Sequence, residues 1–297
     1  MSTLKMFKEK HKTELQRFID FALYEDIAQG DISGASCLDP SQEREATIVL
    51  KEPCVIAGVS LAEAIFKTYD TALEMEMYSS DGDLLNPGDK VFTIRGKAQS
   101  ILATERLVLN CMQRMSGIAT LTYGLNQKIK HTSCRLLDTR KTTPGFRYPE
   151  KWAVQIGGGV NHRMGLFDAI MIKDNHIDYC GSIAATLTKT KAYLIEKKLE
   201  VSVIVEARDL NEISQVIKHP WVSRILLDNM TPEEIRSAIL LIEGSFMTEA
   251  SGNITAENLV AYAETGVDFV SMGALTHSAA NIDMSLKALY TESDKND

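Results

Sequence analysis

Cysteine is scarce in this chain and poorly placed for any framework. The five cysteines (Cys37, Cys54, Cys111, Cys134, Cys180) are odd in number, with no two at C-x-x-C spacing. That argues against a disulfide scaffold and against a Cys-based zinc site. Most of them read as small buried apolar residues of a reducing compartment. The histidines show neither H-x-x-x-H nor H-E-x-x-H spacing, which leaves a His-based zinc site without support. Positive charge is lacking as well. With 32 Lys and Arg against 40 Asp and Glu, the net charge is −8. This speaks against a dedicated nucleic-acid binder or a protein that docks on anionic lipid. No apolar run approaches the roughly 18 residues that span a bilayer. The first residues, MSTLKMFKEKHKTELQRF, carry charge throughout and have no apolar core of a signal peptide. The expectation is a cytoplasmic protein that binds neither nucleic acid nor membrane. No G-x-G-x-x-G or Walker A loop is present.

What is there suits an ordinary globular enzyme. A chain of 297 residues, 44% hydrophobic, can bury about three quarters of the surface its unfolded form exposes, as one large domain or two smaller ones. Residues 11–28 place Leu15, Phe18, Ile19, Ala22 and Leu23 at helical spacing. Arg44 to Val59 reads as strand, Leu73–Tyr78 alternates as a half-buried strand, and Val91–Ile94 is another, with turns at Asp81–Asp83 and Asn86–Asp89 between them. A long helix follows, with Thr104 as its cap, Leu107, Cys111 and Met115 on one side, and Gly117 as its terminator.

From residue 134 the texture changes to repeated strand, loop and helix. Six apolar runs end in polar or small residues: at Asp138–Lys141, Lys173–His176, Glu206, Asp228–Asn229, Glu249–Gly252 and Gly273. Thr231-Pro232-Glu233-Glu234 carries a helix cap, an N1 proline and a capping-box Glu; Thr255 starts another helix. Repeated βα units imply parallel strands with right-handed crossovers. A closed or nearly closed barrel is favoured over an open doubly wound sheet, and barrel sites sit at the C-terminal ends of the strands.

The charge is unevenly distributed. Between Arg135 and Lys173 stand seven Lys or Arg against three acids, a window of +4 in a chain of −8, so the remainder carries −12. Cationic runs are usually solvated faces, but Arg140, Lys141 and Lys173 fall at strand ends and Arg163 follows Gly157–Gly159. Convergent cations there suit capture of carboxylates or phosphates. Gly157–Gly159 reads either as a flexible loop or as a close approach to a ligand. Ser251-Gly252-Asn253 and Gly273-Ala274 read either as tight turns or as a phosphate cradle. Glu206 and Asp228 could hold Mg²⁺ beside substrate phosphates or pair with the lysines. His162 and His176 are candidates for ligand hydrogen bonds.

Several blocks carry a resemblance. They are Asp138-Thr-Arg-Lys-Thr-Thr-Pro-Gly-Phe-Arg147, Lys151 to Arg163 with its G-G-G-V-N-H-R run, and Ile172-Lys-Asp-Asn-His-Ile177. Upstream stand Glu25 to Asp31 and Glu105 to Thr120; downstream stand Leu227-Asp-Asn229, Glu249-Ala-Ser-Gly252 and Gly273-Ala-Leu-Thr276. Together they resemble the quinolinate phosphoribosyltransferases (nicotinate-nucleotide pyrophosphorylases, carboxylating), with Asn253 where that family often has a second glycine. The resemblance implies an α/β chain. An N-terminal α/β sandwich domain (1–118, with the tail 282–297 returning to it) precedes an incomplete α/β, TIM-like barrel (119–281). The implied enzyme is a pentosyltransferase of NAD biosynthesis. It joins 5-phosphoribosyl 1-pyrophosphate to quinolinate with decarboxylation and gives nicotinate mononucleotide, pyrophosphate and CO₂.

By the same resemblance, Arg140, Lys141, His162, Arg163 and Lys173 surround quinolinate, with Arg106 contributed across a homodimer interface. Glu206 and Asp228 face the ribose pyrophosphate and its Mg²⁺, and Ser251, Gly252, Asn253, Gly273 and Ala274 hold the 5′-phosphate. Lys141, Lys173, Glu206 and Asp228 are the implied catalytic residues, and no organic cofactor is expected. Two alternatives stand beside this: a homologous transferase with another acceptor, such as a monocarboxylate, and a non-catalytic phosphometabolite-binding barrel.

Overall fold

The computed structural model describes residues 3–289, with side chains from Met6 onward; residues 290–297 of the expected returning tail lie outside the described residues. The strands are β1 (Glu43–Leu50), β2 (Cys54–Val55), β3 (Glu74–Met77), β4 (Leu84–Leu85), β5 (Lys90–Lys97), β6 (Arg135–Leu137), β7 (Ala169–Ile172), β8 (Ser202–Ala207), β9 (Arg224–Asp228), β10 (Met247–Ser251), β11 (Phe269–Ser271) and β12 (Met284–Leu289). Two compact units emerge. One comprises the described residues up to Tyr123, Thr142–Gly158 and those from Leu275; the other comprises Gly124–Lys141 and Gly159–Ala274.

The first unit is built on an antiparallel sheet in the order β12-β1-β5-β3. β12 runs beside β1 with Ile48 opposite Leu286, and β5 pairs on the other side with Ala46 opposite Ile94. Apolar residues at alternate positions bury one face. Phe92 meets Phe66 edge-on at 6.0 Å between ring centroids, from the helix Val59–Tyr69. That helix has no capping side chain of its own; the Asp81 carboxylate accepts the Val59 and Ser60 N–H groups at 2.9 and 3.1 Å, satisfying the free donors of its first turn. β3 is more exposed than its alternation suggests, because it is an edge strand; only Leu73, just before it, is wholly buried.

The long helix differs from expectation at both ends. It spans Ala98–Ile129, so Thr104 is not its cap: the hydroxyl donates to the Ser100 carbonyl one turn back, at 2.8 Å. Nor does Gly117 end it. A Cβ there would stand 1.9 Å from the Ala280 carbonyl oxygen, so the glycine lets the segment leading to β12 cross the helix. Gly157 is likewise a packing glycine, since its Cβ would meet the Ala119 carbonyl at 2.4 Å.

The second unit holds a parallel sheet ordered β6-β11-β10-β9-β8-β7. All six predicted runs are present. β6 and β7, neighbours in the chain, stand at the two ends of the order, and Val160 adds a single bridge to Leu137 beyond β6. The ring is therefore an incomplete α/β barrel, open between Val160 and β7. The expected capping box forms at Thr231 and Glu234 ahead of the helix Pro232–Ile242. Thr255 does not start a helix. Its N–H goes to the Asn258 side chain, whose amide also donates to the Asn253 carbonyl; this local bonding competes with a helical turn, and the helix is only Leu259–Ala263.

Candidate active site

The parallel register decides which side chains share the inner face. Glu206 lies opposite Leu226, Leu226 opposite Glu249, and Glu249 opposite Phe269, so these four form one layer. Two residues further on, Asp228 lies opposite Ser251 on the same face, because side chains alternate along a strand. The layer nearest the C-terminal ends thus carries Asp228 and Ser251, with Glu206 just below.

Glu206 is buried, and Lys173 at the end of β7 reaches it at 3.4 Å. Burial pushes the Glu206 carboxyl above its ordinary range, the Lys173 ammonium pulls against this, and the Asp228 charge adds to the rise. A buried carboxylate raised in part by a second one nearby has a use for a cation between the two. Asp228 in turn accepts from the Asn229 side-chain amide at 2.6 Å.

The loop after β6 is tied to the segment after Val160. Buried Asp138 accepts the His162 N–H at 2.8 Å and the Asn161 side-chain amide at 2.5 Å. This brings Arg140, exposed after β6, near Arg163. The Arg163 guanidinium donates to the Ala169 carbonyl at 3.1 Å. Burial first, and the charge of Arg140 second, depress its pKa. A partly buried guanidinium beside another is a place that gains from an anion. Lys141 is exposed on the same loop. His176 is used locally instead: its Nδ1 accepts the Lys173 N–H at 3.0 Å, at the start of the helix Asp174–Cys180.

At the end of β10, Gly252 has φ +95° and a Cβ there would lie 2.2 Å from the Asn229 Oδ1. Asn253 follows with φ +52°, and its amide donates to that same Oδ1 at 3.1 Å. The phosphate-loop candidates Ser251, Gly252 and Asn253 are thereby linked through Asn229 to Asp228. Gly273 and Ala274 follow β11 at the same end of the barrel. Arg106 lies exposed on the helix Ala98–Ile129, in the first unit.

Sequence reasoning passed over Glu249 as a participant, along with Arg224. Glu249 is 1% exposed, with Arg224 Nη1 at 2.9 Å and His162 Nε2 at 3.4 Å. Glu249 falls inside β10 instead of after it, and Arg224 opens β9 at the end away from the expected site. Only the register shows that they share an inner face.

Comparison with known proteins decides the family. The model of the quinolinate phosphoribosyl transferase C-terminal domain matches residues 118–287, and that of the N-terminal domain matches residues 31–116. The chain belongs to the quinolinate phosphoribosyltransferase family. It is 44% identical over 289 residues to quinolinate phosphoribosyltransferase [decarboxylating] 1b of Nicotiana tabacum, covering 92% of this chain and 82% of that protein. It is 37% identical over 276 residues to the probable nicotinate-nucleotide pyrophosphorylase [carboxylating] of Bacillus subtilis, covering 92% and 93%. The solved structure of the nicotinate-nucleotide pyrophosphorylase from Francisella tularensis superposes with a TM-score of 0.85 at 38% identity, covering 93% of this chain and 96% of that one. The antiparallel sheet unit and the incomplete barrel are the fold of this family.

Proposed function

We propose that the chain transfers the phosphoribosyl group of 5-phosphoribosyl 1-pyrophosphate to quinolinate and releases CO₂, giving nicotinate mononucleotide and pyrophosphate for NAD biosynthesis. What supports this is two groupings within the barrel unit, Arg140 beside Arg163 and Lys173 against Glu206 with Asp228 near it, in a chain matched by both family domains. The cations bring two polyanions together against their repulsion, each offsetting up to a few kcal/mol when partly desolvated. Arg140, Lys141, Arg163 and Lys173 take the quinolinate carboxylates, with His162 shaping the pocket. A surplus of cations favours a dicarboxylate over a monocarboxylate acceptor.

The pyridine nitrogen of quinolinate is unprotonated near neutral pH and attacks the anomeric carbon without a general base. Glu206 or Asp228 stabilises the oxocarbenium-like state, and Lys141 and Lys173 offset the charge that develops on the leaving pyrophosphate. Once the ring nitrogen carries ribose it is positive. The carbanion left as the adjacent carboxylate departs as CO₂ is stabilised by that charge and takes up a proton from solvent. Ser251, Gly252, Asn253, Gly273 and Ala274 hold the 5′-phosphate.

Among the described residues, no group of three or more His, Cys, Asp or Glu gathers as a metal site. Glu206 and Asp228 instead offer a pair of oxygen donors, which fits Mg²⁺ that keeps waters and takes the rest of its ligands from substrate phosphates. Mg²⁺ held by Glu206 and Asp228 would supply charge neutralisation for pyrophosphate. No organic cofactor enters this scheme.

The active form in this reading is a cytoplasmic homodimer, with Arg106 reaching the partner's site. What supports the dimer part is the family of the chain and the exposed position of Arg106; no described helix is long and apolar enough to cross a membrane. The test follows nicotinate mononucleotide formation with quinolinate or nicotinate as acceptor, with and without Mg²⁺. Turnover of nicotinate in preference to quinolinate, or phosphoribosyl pyrophosphate binding without pyrophosphate release, would overturn it.

A further inference from the structure

Buried charge inside a barrel needs a reason, because a well-packed apolar set of the same volume is often as stable or more so. Glu249 sits in the inner layer beside Phe269, 1% exposed. Its Oε2 accepts from Arg224 Nη1 at 2.9 Å and faces His162 Nε2 at 3.4 Å, a close approach short of a well-formed hydrogen bond, while its Oε1 has no hydrogen-bond partner among the described residues. Arg224 lies with its guanidinium 4.3 Å over the Phe269 ring, so the cation is held from two sides and its direction toward Glu249 is set. Despite burial, His162 and the Arg224 guanidinium beside it hold the Glu249 carboxyl below its ordinary range, so that it acts as an acceptor.

The other ring nitrogen of His162 decides what Glu249 does. The Nδ1 accepts the backbone N–H of Arg163 at 2.7 Å. It can do so only without a proton of its own, so in the neutral ring the proton is on Nε2, the atom that faces Glu249. A carboxylate fixing one nitrogen of an imidazole so that the other can serve elsewhere is the usual logic of a supporting shell. Here the imidazole serves the backbone of Arg163, whose guanidinium is one of the two facing cations of the acceptor site.

We infer that Glu249, braced by Arg224, is a positioning residue of the acceptor site: through His162 it fixes the backbone, and hence the guanidinium, of Arg163. The inference rests on the proposed role of Arg163 and His162 toward quinolinate. It assigns Glu249 no contact with substrate.

Two measurements on the full-length protein test it. Heteronuclear NMR of the imidazole nitrogens, assigned with the H162N variant, is expected to show a proton on Nε2 and a bare Nδ1; a proton on Nδ1, or a doubly protonated ring at neutral pH, overturns the inference. The second uses R224M/E249M, which removes both charges together and leaves no unpaired guanidinium. Its quinolinate KM is expected to rise about tenfold or more while the phosphoribosyl pyrophosphate KM stays within about twofold, a split that loss of stability alone would not produce. E249Q, which keeps an oxygen where Oε2 stands, is expected to restore the quinolinate KM to within about threefold of wild type. A folded double variant with unchanged quinolinate KM overturns the inference, and if that variant does not fold, the NMR result on the wild type decides. An H162A variant indistinguishable from wild type would instead refute the place of His162 in the site. Sensitivity to H162A with insensitivity at Glu249 refutes only the positioning role.

Discussion

Replacing Gly252 by alanine should cripple the use of phosphoribosyl pyrophosphate while leaving the barrel folded. The backbone there has φ +95°, and the added Cβ would stand 2.2 Å from the Asn229 Oδ1, 2.6 Å from its Cγ and 3.0 Å from its backbone nitrogen. Forcing an L residue into the left-handed region costs roughly 1–2 kcal/mol. Expelling the Asn229 amide breaks its 2.6 Å bond to Asp228 and the 3.1 Å bond from Asn253. A hydrogen bond to a charged group contributes about 1.5–3 kcal/mol and a neutral one about 0.5–1.5, with exposure favouring the low end. The sum is about 3 kcal/mol, or roughly a hundredfold in kcat/KM if the loop must hold its shape in the transition state.

The assay is steady-state kinetics in phosphoribosyl pyrophosphate at saturating quinolinate, run as a double-mutant cycle with N229A. With the Asn229 amide gone, G252A should cost only the backbone strain of about 1–2 kcal/mol, so the two changes should be less than additive. A G252A enzyme within about threefold of wild type, or full additivity with N229A, would refute the reasoning.

Arg140→Ala should raise the quinolinate KM or abolish turnover in a folded protein, and near-normal kinetics would remove Arg140 from the site. Glu206→Gln should separate stability from activity. Because burial raises the folded-state pKa of this carboxyl, the folded state binds the proton more tightly than the unfolded state does. The group's contribution to stability is then lost as pH rises from the ordinary carboxylate value through the folded one. E206Q should therefore melt above wild type at neutral pH, lose that advantage below the ordinary carboxylate range, and be inactive; equal melting points at both pH values would contradict this. Gly117→Ala should destabilise, although alanine is worth about 1 kcal/mol over glycine in a free helix, because its Cβ would overlap the Ala280 carbonyl. Thermal denaturation showing an unchanged or higher midpoint would count against the crossing of helix and tail.

Much of the candidate site was legible along the chain. The six strand runs, the capping box at Thr231 and the cationic window around Arg140, Lys141, Arg163 and Lys173 are local patterns, and short-range periodicity suffices for them. The legible features lie within a few residues of one another or at the ends of neighbouring βα units.

The features read wrongly are those set by distant partners. Thr104 looked like a cap because capping is judged from one turn of sequence, yet the helix begins at Ala98. Gly117 looked like a terminator, and nothing next to Gly157 announced a packing glycine. Their reasons, Ala280 and Ala119, lie far off in the chain. Packing also places Thr142–Gly158 with the antiparallel sheet unit although it lies between segments of the barrel unit. Its anchor is Glu150, wholly buried, which takes the Arg114 guanidinium at 3.1 Å and both the N–H and hydroxyl of Thr143 at 2.9 Å.

The sequence by itself therefore determined the order of elements and the chemistry available, because those follow from propensity, periodicity and motif. Only the tertiary structure decided which inner-face residues meet. Glu249, Arg224 and His162 are scattered over three segments, and nothing in their local spacing brings them together. The parallel register does so. It turns an unremarked strand glutamate and a distant arginine into the support of an imidazole whose other nitrogen holds the backbone of Arg163.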